Sequence, residues 1–216
     1  IYYYEYDVTA FIQDGENELS IQLGNGFYRQ LERIAEGPVS FGDTLKTVYA
    51  LVLETASETM TLYSDGSETW KHSEIAYNNM YIGEIVNPLE VDEKEFPVAI
   101  LETPDTELCE AIGAPDRVIR TITPKVLGTV GNKTIFDVGE NISGIVRIRT
   151  KAPKGEKIIL RFAEVVKDDL KLDFGSSGAR NYGSSGKPQI MEDVFIADGT
   201  LRYYEPKFVW HTFRYF

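Results

Sequence analysis

Carboxylates and aromatic rings are the residues through which this chain could do chemistry. It holds 34 Asp and Glu against 22 Lys and Arg, and paired carboxylates serve glycoside hydrolysis, one as acid and the other as base or nucleophile. Glu84 and Glu164 stand in locally uncharged sequence, where burial would raise a carboxyl pKa. For both, the ordinary alternative is a surface or hydrogen-bonded carboxylate, and spacing alone selects no catalytic pair. Rings matter because the C–H faces of a sugar pack on them while polar groups take the hydroxyls. Among 13 Tyr, 11 Phe and 2 Trp, Trp70, Tyr81, Trp210 and His211 are the candidates, beside Glu84, for a carbohydrate contact. Most of the other rings are expected to fill a core.

Other motifs carry less chemistry. His72 and His211 have no second imidazole or thiol at ligand spacing, so no zinc site is expected. Asp168, Asp169 and Asp173 offer clustered oxygens of the kind calcium prefers, but a solvated acidic turn accounts for them without a metal. Cys109 is the only cysteine, which rules out an intrachain disulfide, and it reads as a partly buried small hydrophobe. Gly24-Asn-Gly26 lacks the third glycine and the helix of a dinucleotide fingerprint and reads as a bend at a strand end. Gly175-Ser-Ser-Gly178 and Gly183-Ser-Ser-Gly186 lack the spacing of a nucleophile elbow and read as flexible loop. Asn132-Lys-Thr134 and Asn141-Ile-Ser143 match the glycosylation pattern, which acts only in a secretory context.

These residues must be positioned by strands. Tyr2, Tyr4, Tyr6 and Val8 share one face of a period-two segment, and Leu19, Ile21 and Leu23 another. Thr47 to Glu54 is apolar on both faces, as an interior strand would be. A hairpin should follow, with Met60 and Leu62 on one arm and Trp70 beyond an Asp65-Gly66 turn. Leu31 to Glu36 has the pattern of a helical turn or two. From Asn78 to Phe96 the periodicity fades and acidic residues accumulate, and Pro88, Pro97, Pro104 and Pro115 mark a connecting stretch containing short extended pieces. Thr134 to Val138, Ile145 to Thr150 and Lys157 to Phe162 read as three strands separated by turns at Gly139-Glu-Asn141 and Pro153-Lys-Gly155. The pattern disappears from Asp173 to Gln189, then resumes at Met191 to Ile196 and Phe208 to Tyr215 around a turn at Asp198-Gly199.

Composition bounds the rest. With 43% hydrophobic and 26% charged residues, the 216-residue chain has an ordinary globular composition and room for two domains. A formal charge of −12 without a basic cluster disfavours nucleic acid, and no apolar run is long enough for a membrane-spanning helix. The chain begins at Ile1 and ends at Phe216, each inside a strand pattern, and so reads as a fragment of something larger.

Several segments together resemble the N-terminal region of bacterial α-L-rhamnosidases. Tyr6-Asp-Val-Thr-Ala-Phe-Ile-Gln-Asp-Gly-Glu-Asn-Glu-Leu19 and Leu23-Gly-Asn-Gly-Phe-Tyr-Arg29 are similar to a strand, a "GEN" turn and an "LGNGWYRG" stretch of that family. Ser64-Asp-Gly-Ser-Glu-Thr-Trp-Lys71 and Tyr81-Ile-Gly-Glu84 resemble "TDESWK" and "YDGE". Phe136-Asp-Val-Gly-Glu-Asn-Ile-Ser-Gly-Ile-Val-Arg147 resembles "FDFGQNFAGWVR", and Leu160-Arg-Phe-Ala-Glu-Val165 resembles "LRFAEVL". Tyr204-Glu-Pro-Lys-Phe-Val-Trp-His-Thr-Phe-Arg-Tyr215 is similar to "YEPRFTYHGFRY". The resemblance runs in consistent order along nearly the whole chain.

It implies an all-β fold of two β-sandwich domains, jelly-roll or concanavalin-like, over residues 1–112 and 113–216, flanking an (α/α)6 catalytic barrel outside the chain. The expected role is non-catalytic support of that barrel in an enzyme hydrolysing terminal α-L-rhamnosyl groups, with no catalytic residue and no cofactor in this chain. Expected partners are the barrel, rhamnose-containing glycans and a second copy, and a bacterial cytoplasmic setting is favoured. An independent carbohydrate-binding module and a structural or adhesion spacer are the alternatives.

Overall fold

The structure is a computed structural model that describes residues 1–30, 40–102, 105–177 and 190–216. Strands dominate it. They are β1 (Tyr2–Tyr3), β2 (Ala50–Glu54), β3 (Thr59–Tyr63), β4 (Thr69–Trp70), β5 (Ile75–Asn79), β6 (Gly83–Val86), β7 (Phe96–Pro97) and β8 (Cys109–Glu110). Then follow β9 (Lys125–Val130), β10 (Lys133–Gly144), β11 (Ile148–Thr150), β12 (Lys157–Arg161), β13 (Glu192–Ile196), β14 (Arg202–Tyr204) and β15 (His211–Tyr215). The only helical pieces among the described residues are single 3₁₀ turns at Thr9–Phe11 and Phe174–Ser177. The all-β expectation holds.

The best-packed part of the molecule is a four-stranded sheet in the order β12-β13-β6-β5. Its centre is a parallel pairing of β13 with β6, Val194 opposite Ile85 and Phe195 opposite Val86. Two apolar clusters anchor it. Val86, Phe195, Ala197 and Tyr204 form one, and Val146, Phe162 and Phe213 the other, with Ile148 and Leu160 touching both. Through them the sheet packs on the β11-β14 pair and on the β15-β10-β9 sheet, as in a sandwich. Phe162 and Phe213, 0% and 1% exposed, each contribute about 1.5–3 kcal/mol by burial.

Gly83 is required at the start of β6. Its φ is +148°, and an added Cβ would fall 1.9 Å from the Glu192 carbonyl oxygen of β13. The preceding turn is capped by Asn79, whose Oδ1 accepts the Tyr81 N–H at 2.9 Å while its carbonyl accepts Ile82 N–H at 3.0 Å.

Several expectations need correction. The short extended pieces expected within residues 78–96 are β6 and β7, but β6 is structural core rather than connection, with three of its four residues buried. β2 is not interior: among the described residues it pairs only with β3, and its side chains alternate between half-buried and exposed, Val52 among the exposed. Met60 and Trp70 do not share a hairpin, because β3 pairs back onto β2 and β4 pairs with β7. The Gly139-Glu-Asn141 turn is an irregularity within β10, where the register against β15 jumps between Asp137 and Ile142. Arg214 spans it, donating to both Asp137 oxygens at 2.9 and 3.0 Å. This guanidinium holds the Asp137 carboxyl below its usual range.

In the first segment only Tyr2 and Tyr3 are in a strand, paired in parallel with β8, and residues 19–23 form none. Cys109 is exposed rather than partly buried, because among the described residues β8 has only β1 beside it. The loop after Asp173 begins in order: Ser176 donates to the Asp173 carbonyl at 2.6 Å, and the Ser176 and Ser177 hydroxyls accept the Glu164 amide at 3.2 and 3.1 Å. Leu31 to Glu36, Pro104 and Gly183-Ser-Ser-Gly186 lie outside the described residues. The Pro153-Lys-Gly155 turn forms as expected, closed by Glu156 N–H on the Pro153 carbonyl at 3.0 Å.

Candidate functional site

The β6–β13 pairing brings a polar cluster into the centre of the packed half. Glu84, Asp193 and His211 are 0%, 0% and 1% exposed. Asp193 Oδ1 accepts the Glu84 backbone N–H at 3.0 Å and lies 3.1 Å from His211 Nε2. The imidazole is clamped from the other side by Phe162, stacked at 4.1 Å between centroids and 20° between planes. The Glu84 carboxylate points to the loop between β14 and β15. Both its oxygens accept Lys207 N–H at 3.2 Å, and Oε2 also accepts Phe208 N–H at 3.0 Å. Burial is the main cause raising the Glu84 pKa, with Asp193 adding to it, against the two amides and the Lys207 charge.

Three buried atoms of this region have no partner among the described residues: Asp193 Oδ2, His211 Nδ1 and the Tyr204 hydroxyl. Burial, and then the charges of Asp193 and Glu84, push the Tyr204 phenol far up, so it stays protonated. Beside Glu84 and Tyr204 opens a cleft of about 260 Å³, walled by Glu74, Arg202, Tyr203 and Lys207. Its charges are compensated: Arg202 donates to both Glu74 oxygens at 3.0 and 2.7 Å and pairs with Asp198 at 3.4 Å, while Glu205 at the edge pairs with Arg147.

Of the candidates read from the sequence, Glu84 and His211 are thus brought together through Asp193. Trp210 adjoins them in sequence but is 51% exposed. Tyr81 is half-buried in the β5–β6 turn, edge-on to Phe27 at 6.1 Å. Trp70 lies on the separate β4–β7 ribbon, 45% exposed, stacked on Phe96 at 4.7 Å with His72 edge-on at 5.2 Å. Asp193 and Tyr204 escaped the sequence reading. The available signal for Asp193 is an acid directly before the apolar run Val194-Phe-Ile-Ala197. No three His, Cys, Asp or Glu side chains among the described residues are grouped to hold a metal. Asp169 pairs with Lys171 and Asp173 with Lys167.

Replacing Asp193 by Ala is expected to leave the Glu84 amide and His211 Nε2 without their acceptor. The loss is about 2–6 kcal/mol, taking about 1–3 kcal/mol for each of the two stranded buried donors. Urea unfolding checks it, and a change under about 1 kcal/mol would show that the cluster is not a stabilising hub.

The packed sheets around two apolar clusters define an all-β class of domain. Residues 1–110 match the family model of the alpha-L-rhamnosidase N-terminal domain and residues 128–216 that of the bacterial alpha-L-rhamnosidase concanavalin-like domain, and the chain belongs to this family. It is 30% identical over 236 aligned positions to an alpha-L-rhamnosidase of Formosa agariphila, covering 99% of this chain and 24% of that protein. It is 27% identical to one of an Alteromonas species, covering 97% and 23%. Among solved structures it resembles alpha-L-rhamnosidase of Aspergillus terreus, with a TM-score of 0.73 at 25% identity over 89% of this chain and 23% of that one. That of Dictyoglumus thermophilum gives 0.64 at 27% identity, covering 76% and 19%. The chain spans about a quarter of the length of the curated relatives it matches.

Proposed function

We propose that these domains are non-catalytic parts of a glycosidase that hydrolyses terminal α-L-rhamnosyl groups, where they dock an (α/α)6 catalytic barrel and shape the rim of its active site. The observation that carries this reading is the share of the relatives' length that the chain spans, about a quarter of each. The state of the buried carboxylates supports it. A general acid must reach a substrate, whereas Glu84 and Asp193 are enclosed and engaged with the chain's own amides and imidazole. Two carboxylates of the barrel, with a water between them, would carry out inverting hydrolysis. Exposed apolar residues such as Ile112 and Ile119, at 98% and 91%, provide surface for docking, and would drive self-association where no barrel covers them. The functional division falls at 112/113, with the β5–β6 hairpin lent across it. The chain alone is expected to release no rhamnose from an aryl rhamnoside and to shift in gel filtration with a separately expressed barrel. Measurable release, or no shift, overturns the reading.

A second reading, an independent carbohydrate-binding module, is favoured by Trp70, whose indole is held on Phe96 with much of its surface open. Localised, saturable NMR shifts around Trp70 with L-rhamnose, absent with D-glucose, would put this reading first. An unshifted, dispersed spectrum would remove it.

A further inference from the structure

The chain's charge is divided unevenly between its halves. Residues 1–112 hold 22 Asp and Glu against 5 Lys and Arg, and residues 113–216 hold 12 against 17. The formal charge of −12 is therefore −17 in the first half and +5 in the second. Part of that positive excess is gathered on one surface. Arg147, Arg149 and Lys151 occupy every second position of β11 and its flanks, which puts them on one face. All three are exposed, whereas Ile148 and Thr150 between them are half-buried, Ile148 against both apolar clusters. On β14, Tyr203 stands directly opposite Arg149 and is 66% exposed, while the neighbouring Tyr204 turns into the core.

The outer face of the β11–β14 ribbon is thus a row of cations beside an open phenol ring. Arg147 is paired with Glu205. Arg149 lies over the Tyr203 ring, 5.8 Å from its centroid. The ion pairs of the described residues include neither Arg149 nor Lys151. Alternate residues of an extended strand are about 6.5–7 Å apart, so these charges stand in line, as a linear polyanion's do, and do not converge on one small ion.

We infer that this face binds an anionic sugar chain, one bearing carboxylate or sulfate groups. Arg149 and Lys151 take the anions, and the Tyr203 ring takes a sugar C–H face. That the ligand is anionic follows from the charges of the face. That it is a sugar rests on the glycosidase reading above and on Tyr203, a ring that an acidic protein surface would leave unused. Each contact is exposed, hence weak and screened by salt, and affinity comes from repetition along the chain. The first half, at −17, repels the same ligand and so confines it to the ribbon.

NMR titration of the labelled 216-residue chain at low salt tests the assignment, with an oligogalacturonate, a sulfated dextran oligosaccharide, neutral dextran and poly-L-glutamate. Saturable shifts at Arg149, Lys151 and Tyr203 are expected with one or both anionic sugars and not with neutral dextran. Which of the two responds tells carboxylate from sulfate. Arg149→Gln and Lys151→Gln should each weaken binding about two- to fivefold, and added salt should weaken it in the unaltered chain. No localised shifts, or shifts that both variants leave unchanged, overturn the proposal. A response to poly-L-glutamate as strong as to the sugars also overturns it and gives the face to an acidic protein. A chain that shifts with the barrel in gel filtration yet ignores anionic sugars keeps the glycosidase reading and loses this one.

Discussion

A chain beginning at residue 113 is expected to be unfolded or aggregated, and one beginning at residue 73 to fold. The concanavalin-like segment at 128–216 lacks its own complete sheet, because β13 needs β6 on one side. Removing β5 and β6 deletes Val86 from the first apolar cluster and uncovers Phe195, now 2% exposed. Each such side chain is worth about 1.5–3 kcal/mol when buried. It also strips the Ile82 carbonyl from Glu192 N–H, 2.8 Å, and the Glu74 carboxylate from Arg202, and leaves Asp193 without the Glu84 amide. These losses together rival the whole stability of a domain, about 5–15 kcal/mol. Dispersion in an amide correlation spectrum and a cooperative thermal transition separate the outcomes for the two truncated chains. A soluble, cooperatively folded 113–216 chain would show that the hairpin is dispensable.

Gly83→Ala is expected to cost at least about 4 kcal/mol. The Cβ would lie 1.9 Å from the Glu192 oxygen and 2.7 Å from its carbon, and both are backbone atoms that no rotamer change removes. With φ at +148° the substituted residue is strained even in open space. Relief requires β6 and β13 to part, which opens the pairing that carries Glu84 and Asp193. Thermal unfolding should fall by roughly 8–16 °C, at about 2–4 °C per kcal/mol for a chain of this size. Gly113→Ala serves as control, since its Cβ meets nothing within 4 Å, and should move the midpoint little. Equal midpoints for the two variants would contradict the close approach described.

The strands legible in the sequence were those whose periodicity is local and whose partners are near. Lys157 to Arg161, Glu192 to Ile196 and His211 to Tyr215 alternate or run apolar between clear turns, and they form β12, β13 and β15. β6 was invisible for a physical reason. Gly83-Glu-Ile-Val86 has an acid at a buried position, which breaks the apolar pattern, and although β5 lies next to it in sequence, its other partner, β13, lies far along the chain. The same holds for the site. Glu84 stands out by its uncharged surroundings and His211 as a ring beside Trp210, but only the parallel pairing reveals Asp193 between them. Gly139-Glu-Asn141 has turn chemistry, yet Arg214 on β15 bridges the irregularity and keeps the chain in one strand. The Asp65-Gly66 turn sequence points to a hairpin between Met60 and Trp70. Pairing went instead to Phe96, where an aromatic stack was available.

The distance in sequence between Glu84 and Asp193, 109 residues, sets a schedule for synthesis. A ribosome adding about 5–20 residues per second finishes β6 roughly 5–20 s before β13 follows it out of the tunnel. Throughout that interval the nascent chain carries an unpaired strand edge with Val86 and the Glu84 carboxyl open to water. Hydrophobic edges of this kind recruit other strands, so neighbouring nascent chains on one message compete with the proper partner. A holdase bound at residues 75–86 would protect yield without altering the finished molecule, and slowing translation upstream of residue 192 would lengthen the exposure.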